Sequence, residues 1–171
     1  MISALSVRQP WAHLIRERLK TVEVRSQPTR HRGELLICAS KALDDRARAI
    51  AMDYELTLDL LPLGAAVAWA SLVDCRPFTA ADEPAALVRC IPGQERFAWV
   101  LEDIQPIYPR TVRGQLGIFS IDDPFLERML RPSSGRYSTA AARAVEPAPG
   151  VEAFTDDGRF ISGSGYGGER R

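Results

Sequence analysis

The chain has 171 residues, 46% hydrophobic and 26% charged, with 22 basic and 22 acidic side chains. This is the composition of a globular domain long enough to bury a real core, and zero formal net charge excludes a uniformly basic coat for nucleic acid. Cys38, Cys75 and Cys90 form no CxxC pair, which argues against a disulfide framework and a zinc site and for reduced thiols.

The first segment, "SALSV" (3–7), is a short strand candidate. "QPWAHLIRERL" (9–19) reads as a helix. Pro10 suits its first position, where no N–H is needed, and Trp11, Leu14, Ile15 and Leu19 recur at helical spacing. "KTVEVRS" (20–26) alternates, so Val22 and Val24 are expected in the core and Glu23 and Arg25 on the opposite face. "QPTRHRG" (27–33) is a loop and "ELLICAS" (34–40) a buried strand. A longer helix is expected over about 41–60, from Leu43, Ala47, Ile50, Tyr54 and Leu58, with Asp44 and Asp45 in its first turn.

Beyond Pro62 and Gly64, residues 65–78 form a long strand rich in small residues. A short helix is expected near 82–89, a strand over 96–108 broken around Asp103, a last strand at 114–121 and a short helix at 124–131. From about Pro132 the sequence is rich in Gly, Ser, Pro and Ala and reads as a flexible appendage. The expected division is a domain over 1–122 and a weakly structured C-terminal extension over 123–171. No leader segment is evident, and no apolar run approaches the ~20 residues of a membrane span. These features predict a soluble, cytoplasmic protein without membrane contact.

Six or so short, mostly antiparallel strands with two main helices predict an α+β fold, a small closed β-barrel with helices at its rim. Closure would also remove exposed sheet edges.

Charge is unevenly spread. Residues 1–48 carry ten basic side chains against five acidic ones, which is compatible with one anion-facing surface or simply with solvated helix faces. No phosphate loop, HExxH or GxSxG occurs, and neither His13 nor His31 has a metal-spaced partner. What remains is "LKTVEVRS" (19–26). Glu23 and Arg25 share a strand face and could pair for ~0.2–1 kcal/mol as an ordinary surface ion pair. In strict alternation Lys20 would point into the core, where an unpaired ammonium is costly. It must therefore leave strand phase to join Glu23. The three would then converge, with Lys20 as a base of lowered pKa or as part of a phosphate-holding cluster in which Glu23 reads a donor.

The segments "ALSVRQPWAHLI", "LKTVEVRS", "TRHRGELLICASKA", "FAWVLEDIQPI" and "VRGQLGIFSI" together resemble the ASCH family, domains homologous to the activating signal cointegrator module. The resemblance covers roughly residues 3–122. Its GxKxxExR signature is Arg18 to Arg25 here, with Arg18 in place of the glycine and Gln27 where a tryptophan often follows. The resemblance implies a PUA-like β-barrel with a cleft between the helix at 10–18, the motif strand and nearby loops. It also implies recognition of RNA, single-stranded nucleic acid or a nucleotide. Expected binding residues are Arg8, Gln9, Lys20, Glu23, Arg25, Arg30, Arg32, Ser40 and Lys41.

One branch of the family resembles amidohydrolases acting on N-acylated cytidine, with the motif lysine as base and threonine where this chain has Glu23. Other relatives are described as metal-dependent ribonucleases. If the chain is an enzyme, Lys20 and Glu23 are its expected catalytic pair. No cofactor is expected, and a divalent metal enters only with the ribonuclease reading. The remaining alternative is a protein-interaction adaptor in transcription or RNA metabolism.

Overall fold

The computed structural model describes residues 1–130. The expected appendage from Pro132 lies outside them. In chain order the elements are β1 (Ile2–Gln9), α1 (Trp11–Arg16), β2 (Val22–Arg25), β3 (Gly33–Leu43), α2 (Ala47–Asp53), β4 (Ala65–Pro77), α3 (Glu83–Ala86), β5 (Phe97–Thr111), β6 (Ile118–Ile121) and α4 (Pro124–Leu130). Short 3-10 turns at Leu58–Leu60 and Ala80–Asp82 precede β4 and α3.

The six strands form one sheet in the order β2-β5-β4-β3-β1-β6. All neighbours are antiparallel except β1 and β3. The sheet is open, so the expected closed barrel is corrected. β2 and β6 are its edges, and no ladder joins them among the described residues. β6 pairs only Ile2 to Leu5 of β1. Just beyond that point the Arg25 guanidinium of β2 donates to the Ser6 carbonyl of β1 at 3.3 Å. One side-chain bond thus spans a seam that closure would have filled with backbone pairing.

Each sheet face has its own core. Leu5, Val7, Leu35, Ile37, Leu72, Trp99 and Leu101 pack under Trp11, Leu14 and Ile15 of α1 and Ile50 of α2. Ile2, Ala4, Leu36, Cys38, Trp69 and Phe119 face the other way and receive Leu126 of α4. This α4 contact places residues 124–130 within the compact unit Met1–Leu130. Burial pushes the Cys38 thiol up to about 12, which makes it inert.

Several local expectations change. The helix at 9–19 shortens to 11–16 because Arg18 takes a left-handed conformation, φ 62°. Its guanidinium is anchored on the Ile104 carbonyl at 2.8 Å. The helix expected over 41–60 instead begins as strand, since β3 runs to Leu43 and α2 covers only Ala47–Asp53. Asp44 lies ahead of that helix, accepting the Arg46 N–H at 2.9 Å. The strand expected to break at Asp103 continues to Thr111. Asp103 absorbs a register shift with φ 48°, as a bulge does.

The facing of β2 is also reversed. Glu23 pairs directly across from Trp99, a residue of the main core, so Glu23 and Arg25 lie on that face. Val22 instead joins a small separate cluster with Phe78, Ala86 and Ala98. The alternation is as expected, but the charged side faces the larger core.

Candidate nucleic-acid interface

Lys20 is 2% exposed, the largest side chain among those fully buried. Its ammonium donates to the carbonyls of Val22 and Ala86, both at 2.6 Å. Glu23 Oε2 stands 3.6 Å away. Of the ammonium's three donors, two are taken by these carbonyls, and Glu23 balances the charge as an ion pair. The Trp11 ring lies 5.2 Å from Nζ, a cation–π contact on a desolvated cation. Burial lowers the Lys20 pKa, against the opposing pull of Glu23. A carboxylate partner and two strong acceptors are what make a buried lysine tolerable.

The chain leaves α1 through the Arg18 turn, which explains how Lys20 escapes strand phase. The Leu14 carbonyl accepts from both Leu19 and Lys20 N–H groups, and Thr21 N–H reaches Ala85. The signature's glycine position therefore needs a left-handed residue, and this chain meets that need with arginine at some strain.

Glu23 sits between two cations, with Arg25 Nη1 3.5 Å from Oε1. Arg25 also lies 5.7 Å over the Trp99 ring and bonds Ser6 across the seam. It is partly exposed, whereas Lys20 and Glu23 are buried. The array therefore runs from an interior ammonium to a guanidinium at the surface.

α3 supplies one of the two carbonyl acceptors of Lys20. It is only four residues long and ends where Leu87 turns left-handed, φ 57°, freeing the Ala85 and Ala86 carbonyls for Thr21 and Lys20. Asp82, buried ahead of α3, takes both terminal nitrogens of Arg76, at 2.8 and 2.6 Å, and caps Thr79. The Arg76 hydrogen bonds hold its carboxyl well below the usual range.

The other sequence-selected residues divide. Arg8 and Arg30 are exposed, and Arg8 follows Ser6 by two positions on β1. Arg32 is exposed but bonds the Thr29 and His31 carbonyls at 3.1 and 2.8 Å and stands 3.6 Å from Asp74. Gln9 is fully buried, with its amide donating to Pro62 and accepting from His13 N–H, both at 2.9 Å. Both bonds brace the start of α1. Ser40 Oγ donates to the Ala42 carbonyl at 2.9 Å within β3, and the Lys41 stem packs toward Gly64. Among the described residues, no recorded contact joins Gln9, Ser40 or Lys41 to the trio.

Sequence reasoning missed the Val22, Ala86 and Ser6 carbonyls, which carry no side-chain signal. It also missed Trp99 beneath Arg25, reachable only through the β2–β5 register. Among the described residues no cluster of three His, Cys, Asp or Glu could hold a metal ion. No helix there is long and apolar enough to cross a membrane.

An open PUA-like sheet with a lysine, a glutamate and an arginine gathered at the end of its short edge strand defines the class. The chain belongs to the ASCH domain family, whose model matches residues 5–111. That family has a PUA-like fold compatible with RNA binding. The structure is similar to the crystal structure of ASCH from Zymomonas mobilis, with a TM-score of 0.53 and 14% identity over 75% of this chain and 92% of that one. Two mutant forms of the Zymomonas mobilis protein match at a TM-score of 0.52, with 14% and 15% identity. They cover 75% and 77% of this chain and 95% and 96% of theirs. At such identities the likeness is one of fold. No curated protein matches the chain.

Proposed function

We propose that this chain binds single-stranded RNA at the seam between β2 and β1, with Arg25 as the central contact and Arg8, Arg30 and Arg32 as its basic rim. The observation that carries this is the Lys20–Glu23–Arg25 array. Burying an ammonium is expensive, and a fold needing only core would place an apolar side chain there. The buried lysine instead fixes Glu23, and Glu23 fixes the partly exposed Arg25. In this reading Lys20 organises the site, Arg25 takes a phosphate or base edge, and Glu23 accepts from a base amino group.

Binding carried by three or four phosphate contacts should be strongly salt-dependent. Affinity for a short single-stranded RNA, read by fluorescence anisotropy, should fall roughly 20- to 50-fold between about 50 and 200 mM salt. A salt-independent affinity would overturn the reading.

A second reading is favoured by one observation, the Lys20 nitrogen 3.6 Å from the Glu23 carboxylate in a buried setting that lowers the lysine's pKa. It makes the pair a general base acting on an N-acylated cytidine or on RNA. Release of the free nucleoside or of shortened RNA would establish it, and intact substrate after prolonged incubation would remove it.

A further inference from the structure

We propose a second ligand site, a nucleotide-binding groove between α1, α2 and α3, lined by none of the residues of the Arg25 seam. The groove has a volume of about 420 Å³, within the range of small-ligand pockets. Its lining combines apolar Trp11, Ile50, Pro84, Leu87 and Val88 with charged Arg46, Glu83 and Arg89. Apolar walls of this kind suit a flat ring, and two guanidiniums suit a phosphate.

Each arginine is paired with a carboxylate yet keeps guanidinium nitrogens open to an anion. The Arg46 side chain is 65% exposed and meets Asp44 through Nε at 3.4 Å. The Arg89 side chain is 91% exposed and meets Glu83 through Nη1 at 3.3 Å. Each pair uses one nitrogen and is open to solvent, so neither ties up its guanidinium strongly. The two carboxylates are turned to the backbone. Asp44 takes the Arg46 N–H at 2.9 Å, and Glu83 takes the Cys90 N–H at 2.8 Å.

Two features tie the groove to the motif. Arg46 lies 5.8 Å from the centroid of the same Trp11 ring that faces Lys20. Leu87, held in a left-handed conformation rare for a branched residue, follows directly on the Ala86 carbonyl that holds the ammonium. A ring filling the groove therefore presses on the elements that position Lys20. The ligand class is a planar base bearing a phosphate, either a free mononucleotide or one nucleotide of a strand that also reaches Arg25. The inference rests on the reading that this chain recognises nucleotides.

The test titrates isotope-labelled protein with adenosine and cytidine 5′-monophosphates, with inorganic phosphate and with a short single-stranded RNA. Shifts at the amides of Ile50, Leu87 and Val88 on adding a mononucleotide are expected, together with ~10-fold weaker binding in the Arg46→Ala/Arg89→Ala double variant. Both arginines are exposed, so that variant should fold. Val88→Trp, which fills the groove, should also remove the shifts. Weakened RNA binding in the double variant assigns the groove to a strand; unchanged RNA binding with lost mononucleotide binding assigns it to the free ligand. Mononucleotide binding that is absent, insensitive to the double variant, or matched by inorganic phosphate alone overturns the groove. Arg25→Ala separates the two sites, because RNA binding lost there, in a chain that binds no mononucleotide, leaves the seam standing without the groove.

Discussion

Lys20→Ala is expected to lower the free energy of unfolding by about 3–5 kcal/mol, the range for breaking one side of a buried ion pair. The substitution orphans the Val22 and Ala86 carbonyls and leaves Glu23 buried beside Arg25 alone. It also opens a void against Trp11. Lys20→Met restores the volume but not the donors, and should recover only part of the loss. Urea denaturation gives the value, and a loss under about 1 kcal/mol would show that the ammonium's bonds hold nothing in place.

The same residue gives the stability a pH dependence of known sign. Unfolded, Lys20 titrates near 10.5, and burial lowers this in the folded chain. Below the folded pKa the penalty of a buried ammonium is present in full. Between the folded and unfolded values the unfolded chain holds more protons, so stability rises with pH. The advantage of the natural chain over Lys20→Met should therefore widen as pH climbs toward 10.5. A constant difference would mean that Lys20 keeps an ordinary pKa.

Arg25→Ala is expected to weaken single-stranded RNA binding roughly 10- to 100-fold, the worth of one or two hydrogen bonds to a charged group. Its effect on stability should be smaller than that of Lys20→Ala. Arg25 is partly exposed, and its contacts are an ion pair at 3.5 Å, a long bond to Ser6 and the face of Trp99. Arg25→Lys keeps the charge but loses the planar fork, and should restore only part of the affinity. Undiminished affinity in well-folded Arg25→Ala would remove the seam as the binding site.

How much of this was legible beforehand depended on whether the signal was local. The strands at 65–78 and 96–108 announce themselves through apolar content, and both occur as β4 and β5. Lys20 does stand 3.6 Å from Glu23, but it is buried there rather than kept out of the core, because the Val22 and Ala86 carbonyls and Glu23 offset the cost that argued against burial. Which face of β2 meets the main core was not legible. Alternation fixes that Val22 and Val24 oppose Glu23 and Arg25, but the choice is made by Trp99 across the ladder and by α3 behind it. Helical spacing over 41–60 was misleading because β3 extends through Leu43 on the strength of its pairing with β1, where Gln9 meets Leu43. Tertiary pairing overrode a local pattern there. Barrel closure failed for a similar reason, since six strands can suffice for a barrel yet β6 pairs only as far as Leu5. Gln9 looked like a polar rim residue, and only the positions of Pro62 and His13 show it to be a brace.

Amide chemical-shift mapping with a short single-stranded RNA tests the seam most directly. Shifts are expected to cluster on Arg25 to Arg32 and on Ser6 to Arg8, the two sides of the gap that Arg25 spans. Shifts confined to the exposed surface around Tyr108 and Phe125, or none at all at saturating RNA, would contradict the proposal that this seam is where nucleic acid binds.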